Sequence, residues 1–240
     1  LVAHAKTLPG LKASVLVPNL KGAQRAIEVD AHALLVPISA SAAHSAANVR
    51  KTPDEMIAAI AQIRAARDAA GSKIRSEVGM STAFGCTIQG EVPEDEVLRL
   101  LQASLDAGAD CVGLADTVGY ADPAQVRRLY EKAFRAVGDK LACAHFHDTR
   151  GLALANVCAA LDVGVRRFDA SLAGIGGCPH APGASGNAST EDVVFMLERM
   201  GFDTGVNLSA LLALRKRVTE WLPAEQFGGA IWRAGIPKAA

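Results

Sequence analysis

The sequence predicts an α/β fold: a parallel sheet, covered by helices and curled into a (β/α)8 barrel. Three observations carry this. Short apolar segments alternate with longer amphipathic ones six times, at spacings of roughly 20 to 40 residues. Parallel strands need helical crossovers of about that length, and burial on both faces makes them read as apolar runs. Second, polar residues recur where the apolar segments end, at Asn19, Ser39, Ser81, Asp116, His145 and His147, with Gly174 after the last. The C-terminal strand ends of a barrel share one rim, where its chemistry sits, whereas a doubly wound sheet gathers it at one switch point. Third, no G-x-G-x-x-G follows the first strand and no Walker motif occurs. A barrel needs eight strands and six are legible. The expectation is therefore a TIM barrel lacking its first strands in this chain, beginning in the second helix.

The elements follow in order. Residues 1–10 read as the tail of a helix, 13–17 as a strand stopped by Pro18-Asn19, 22–29 as a short helix and 33–38 as the second strand. Residues 39–48 read as a small-residue loop closed by Asn48. Thr52-Pro53-Asp54-Glu55 is a capping box with Pro at the first helical position, opening a helix that Gly71 stops. Ile57, Ile60 and Ile63 mark its apolar face. Strands follow at 74–80, 111–115, 141–146 and 167–172, and helices at 94–107, from Asp122-Pro123 onward, and at 152–163. Further helices read at 190–199 and 208–222, and residues 223–240 read as a loosely ordered tail on a single domain.

Composition bounds the function. The chain has 240 residues, half of them apolar, which suits one barrel domain of about 250 residues. With 25 Lys and Arg against 25 Asp and Glu there is no basic excess, and no nucleic-acid partner is suggested. No apolar run reaches the roughly 18 residues of a membrane span, and no secretory signal is visible at Leu1. Leu1 is not Met, so a fragment or a processed form is expected. The five cysteines, at 86, 111, 143, 158 and 178, are scattered and odd in number. That fits free thiols in a reducing compartment, and a cytoplasmic protein is expected.

The chemistry concentrates between residues 141 and 187. The strand L-A-C-A-H-F-H-D places His145 and His147 two apart, on one face of one strand end. Two such imidazoles can grip a divalent metal; the plain alternative is two rim residues. The loop A-G-I-G-G-C-P-H-A-P-G-A-S-G-N carries Cys178 and ends in Asn187. Its glycines would let it close over a site and hold a thiol there, although a glycine-rich loop alone is a turn. Asp116 ends an earlier strand and is either a site carboxylate or a cap for the next loop. Cys86, Cys111, Cys143 and Cys158 read as packing residues, and His4, His32 and His44 as surface or structural ones.

These residues resemble the 3-hydroxy-3-methylglutaryl-CoA lyases of the DRE-TIM metallolyase superfamily. The matches are P-N-L-K-G at 18–22, L-A-D-T-V-G at 114–119, H-F-H-D-T-R-G at 145–151, A-G-I-G-G-C-P-H-A-P-G-A-S-G-N-A-S-T-E-D at 173–192 and T-G-V-N-L at 204–208. The cysteine loop is the most specific, because it separates these lyases from related synthases that share the H-x-H. The resemblance implies a TIM barrel, an acyl-CoA substrate, a homodimer and a divalent metal, Mg2+ or Mn2+, with ligands at His145, His147 and Asn187. It also implies an Asp ligand, an Arg and a Glu on a first strand carrying an R-D-G-L-Q-like motif, which this chain lacks. Smaller departures are Ala42 for Glu, Gly113 and Ala115 for Ser and Gly, Thr87 for Pro, and His180 for Tyr.

The implied reaction is retro-Claisen cleavage of 3-hydroxy-3-methylglutaryl-CoA to acetyl-CoA and acetoacetate. Cys178 would protonate the enolate, and Asp116 or His145 would take the C3 hydroxyl proton. The rival expectations are a lyase for another C3-branched 3-hydroxyacyl-CoA, and a non-catalytic relic that binds CoA or a partner.

Overall fold

Six parallel strands lie side by side in the order in which the chain makes them. The computed structural model describes residues 1–177 and 186–237. A short helix, α1 (Val2–Ala5), precedes β1 (Ser14–Leu16). Then come α2 (Leu20–Glu28), β2 (Ala33–Ser39), α3 (Ala42–Val49), α4 (Pro53–Ala69), β3 (Arg75–Ser81) and α5 (Glu94–Asp106). They are followed by β4 (Cys111–Asp116), α6 (Pro123–Val137), β5 (Leu141–Phe146), α7 (Ala153–Asp162) and β6 (Phe168–Asp169). Three helices close the chain, α8 (Thr190–Arg199), α9 (Leu208–Trp221) and α10 (Ile231–Ala234). Sequential parallel pairing with helical returns is the wall of a (β/α)8 barrel, and the six strands account for six of its eight positions.

The strand pattern sorts side chains between two faces. Leu34, Val36 and Ile38 of β2, Val78 and Met80 of β3, Val112 and Leu114 of β4, and Ala144 and Phe146 of β5 are buried. They form one apolar cluster with Met56, Ile60 and Ile63 of α4, Leu100 and Leu101 of α5, and Leu129 and Tyr130 of α6. The alternate residues point to the concave side and line a cavity of about 510 Å³ that includes Pro37, Gly79, Ala115, Cys143 and His145. Below the histidines an ion pair spans this concavity. Arg167, just before β6, donates to both oxygens of Glu77 of β3 at 2.8 and 2.5 Å. That pair ties the sixth strand back to the third.

Local signals act as the sequence implies. Thr52 Oγ1 accepts from Glu55 N at 3.2 Å while Glu55 Oε2 accepts from Thr52 N at 2.7 Å, a complete capping box. Asp122 accepts from Ala124 N and Gln125 N at 2.8 and 3.0 Å, with Pro123 at the first helical position. Three expectations need correction. Residues 39–48 contain a helix, α3, because alanines favour it and Ser41 Oγ caps it by accepting from His44 N at 3.1 Å. The sixth strand keeps only two residues, since the chain then turns into a 3-10 segment at Leu172–Gly174. Residues 223–240 are not loose throughout. Asp192 accepts from Ala230 N and Ile231 N, and Ile231 of α10 is buried.

The α4 cap opens the helix that runs back from the end of β2 to the start of β3. Replacing Thr52 by Ala removes one side of the box and should lower unfolding free energy by about 1 kcal/mol. Urea denaturation measures this; divalent-metal binding should be unchanged.

Candidate active site

The site is built where β5 ends. Alternation along β5 turns Ala144 and Phe146 toward the helices, and Cys143 and His145 toward the cavity. His147 follows on the same side as His145, and the two rings lie 5.1 Å apart, centroid to centroid, at 61°. A second segment comes to meet them. His147 and Asn187 form an antiparallel bridge. On either side of it, Asp148 N donates to Gly186 O and Ala188 N donates to Phe146 O, each at 3.0 Å. Residues directly opposite in such a bridge project to the same side. The expected ligands His145, His147 and Asn187, forty residues apart along the chain, are thereby brought together.

The hydrogen bonds leave lone pairs behind. The Asn187 amide nitrogen donates to Ile175 O at 2.9 Å, which fixes the amide orientation. Its Oδ1 is buried with no partner among the described residues, and so is His147 Nδ1. A buried acceptor without a donor is costly, on the order of 1–3 kcal/mol, and a cation offsets that cost. Burial pushes the His147 imidazole down to about 4, with the neighbouring His145 adding to the effect. Burial lowers His145 as well, against the opposing pull of Asp169. Both rings are thus neutral near pH 7, the form that ligates metal. Among the described residues no three His, Cys, Asp or Glu side chains converge. The Asn187 amide oxygen is the third group that could serve as a donor. Two imidazoles and an amide oxygen fit a divalent cation and leave coordination positions for other oxygen ligands.

The other expected residues fare differently. Asp116 pairs in register with Phe146, and Ala115 with His145, so Asp116 faces the helices and not the cavity. Its oxygens accept from Tyr120 N at 2.8 Å and Ala121 N at 3.2 Å. Burial raises its carboxyl to about 6, partly offset by these backbone bonds. It clamps the loop after β4, the second of the two readings open for it in the sequence. Cys178 lies outside the described residues. His44, read as surface or structural, is buried with its Nδ1 2.6 Å from Ser39 Oγ.

Sequence reasoning missed Asp169. It pairs in register with His145, and its Oδ2 lies 4.0 Å from His145 Nδ1. The strand-end rule that found the histidines would have found it too, had the sixth strand been ended at Asp169. Missed as well was Glu191, wholly buried at the start of α8, where an acidic residue reads as an ordinary helix-start preference.

Comparison with known proteins identifies the family. The family model described as HMGL-like matches residues 3–218. The chain belongs to the HMGL-like family. Within it, the chain is 40% identical over 211 residues to a hydroxymethylglutaryl-CoA lyase of Bacillus subtilis, spanning 88% of this chain and 70% of that one. It is 36% identical over 231 residues to the hydroxymethylglutaryl-CoA lyase of Pseudomonas mevalonii, spanning 96% and 75%. An HMG-CoA lyase of Acinetobacter baumannii, solved with coenzyme A and 3-methylmalate, superposes with a TM-score of 0.89 at 40% identity, covering 95% of this chain and 73% of that one. Among the described residues of this HMGL-like chain, no helix is long and apolar enough to cross a membrane.

Gly186 tests the clasp. Its φ is +113°, and a Cβ there would lie 1.9 Å from Gly174 O. Gly186→Ala must displace residues 186–188, and should weaken Mn2+ binding by about tenfold or more, as read by electron paramagnetic resonance titration of free Mn2+.

Proposed function

We propose that this chain is a metal-dependent carbon–carbon lyase that cleaves 3-hydroxy-3-methylglutaryl-CoA to acetyl-CoA and acetoacetate. The observation that carries the reading is the pair of buried acceptors, His147 Nδ1 and Asn187 Oδ1, which have no partner among the described residues and whose backbones form a bridge at the barrel rim. The family supports the substrate: relatives named as hydroxymethylglutaryl-CoA lyases are 36% and 40% identical over most of the chain.

The reaction balances without a redox partner. The C3 hydroxyl loses its proton, the C2–C3 bond breaks, and C3 becomes the ketone of acetoacetate. The bonding pair passes to C2 as the thioester enolate, which then takes one proton. When bound, a cation of the Mg2+ or Mn2+ type supplies Lewis acidity and a template for substrate oxygens. His145, His147 and Asn187 are the residues that would hold it. Two roles were expected of His145, and they exclude each other. A ring nitrogen that ligates has no lone pair left, and the other nitrogen, Nδ1, lies toward Asp169. We assign His145 to the metal, with Asp169 fixing its ring, as carboxylates do for metal-bound histidines. Asp116 acts at a distance by holding the 117–121 loop. Cys178 is assigned the proton delivered to C2, since a thiol with an ordinary value near 8.5 remains protonated at neutral pH.

The test is acetoacetate release from 3-hydroxy-3-methylglutaryl-CoA with Mn2+ or with EDTA. Release should need the metal and vanish in His147→Ala. Cys178→Ala should lower kcat by about 10²- to 10⁴-fold, the range for a lost acid, with substrate binding retained. A folded, Mn2+-loaded protein that releases no acetoacetate from this substrate would refute the assignment, and longer C3-branched acyl-CoAs would then be assayed.

A further inference from the structure

The turn that enters the glycine-rich loop is gripped from beneath by a buried ion pair that the reaction itself does not use. Glu191 is wholly buried and Arg215 of α9 is 3% exposed, 3.2 Å apart. The Glu191 carboxylate also accepts from the Ser189 hydroxyl at 2.9 Å and from Ala173 N at 3.1 and 2.9 Å. Arg215 donates its second nitrogen to Gly228 O at 2.7 Å and stacks over the Trp232 ring at 4.7 Å. Gly228 N in turn donates to Ala173 O at 2.8 Å. Both polar backbone groups of Ala173 are therefore held by this one network.

Ala173 needs holding. Its φ of 59° and ψ of 16° are left-handed, a conformation that costs an alanine roughly 1–2 kcal/mol. The two residues that follow carry Asn187. Gly174 O accepts from Asn187 N at 3.1 Å, and Ile175 O accepts from the Asn187 amide at 2.9 Å. The path from the ion pair to the unpartnered Asn187 Oδ1 is thus a single turn of chain. A buried ion pair gives little net stability, because desolvation cancels much of its attraction. What it gives here is a fixed acceptor for an N–H that must point one way.

We propose that Glu191 and Arg215 are positioning residues for the metal site: they lock the Ala173 turn, and through it the orientation in which Asn187 presents its amide oxygen. This rests on the reading of Asn187 as a metal ligand. It goes further in assigning the affinity of the site to charges that touch neither metal nor substrate.

The test is the Mn2+ affinity of the full-length protein, measured by electron paramagnetic resonance below each variant's melting temperature, so that folding and binding are read apart. Glu191→Gln should weaken Mn2+ binding by about tenfold or more, as lost supports of metal ligands do. Ser189→Ala removes one bond to Glu191 and should weaken it roughly two- to fivefold, the worth of a single hydrogen bond. It is also the variant that decides the matter if Glu191→Gln does not fold. Arg67→Met breaks another ion pair, a half-buried one with Asp110 just before β4, and should lower Tm while leaving Mn2+ affinity at the wild-type value. Wild-type affinity in folded Glu191→Gln overturns the proposal, as does an equal loss in Arg67→Met. Asn187→Ala separates the two readings. If it leaves Mn2+ affinity unchanged, the metal assignment falls and this inference with it. If it weakens binding while Glu191→Gln and Ser189→Ala do not, the metal assignment stands and the positioning role alone is lost.

Discussion

The clasp between the end of β5 and residues 186–188 is the constraint on which the site depends. Two main-chain hydrogen bonds make it, from Asp148 N to Gly186 O and from Ala188 N to Phe146 O, and a third, from Asn187 N to Gly174 O, holds the same segment from its other side. Without them Asn187 is a loop residue far from any histidine. With them its amide oxygen faces the same side as His147, and neither acceptor has a donor among the described residues. Ordinary folds do not leave two adjacent buried acceptors unpaired. A cation held by both would offset the cost of burying them.

Strand register decides which other residues can take part. Parallel pairing sets Ala115 beside His145 and His145 beside Asp169, so these share the concave face. The same register sets Asp116 beside Phe146, on the face that packs against helices. Lower on the concave side, the bond from Arg167 to Glu77 draws β6 toward β3. It supports the wall on which the histidines stand.

Much of this was legible in the sequence, and the reasons are local. Strands buried on both faces announce themselves as apolar runs, and β5 is read to the residue. Thr52 and Asp122 announce helix starts because their side chains answer orphan N–H groups. The histidine pair follows from period two. What was not legible is non-local. The helix at 42–49 is the exception, since both its alanines and its Ser41 cap are local signals that the reading as a loop passed over. Asp116 ends its strand as His145 does, yet its side depends on register with a strand thirty residues away, and a bulge at Val112/Gly113 intervenes. Glu191 and Arg215 look like surface charges in sequence; their burial is created by the turn they hold.

The proposal reduces to one physical statement: His145, His147 and Asn187 together bind a divalent cation. The most direct measurement is anomalous diffraction from crystals soaked in Mn2+, collected at the manganese edge. The account predicts a single strong peak within bonding distance of a ring nitrogen of His145, a ring nitrogen of His147 and Asn187 Oδ1. A peak elsewhere on the chain, or none at these three atoms from fully soaked crystals, would contradict it.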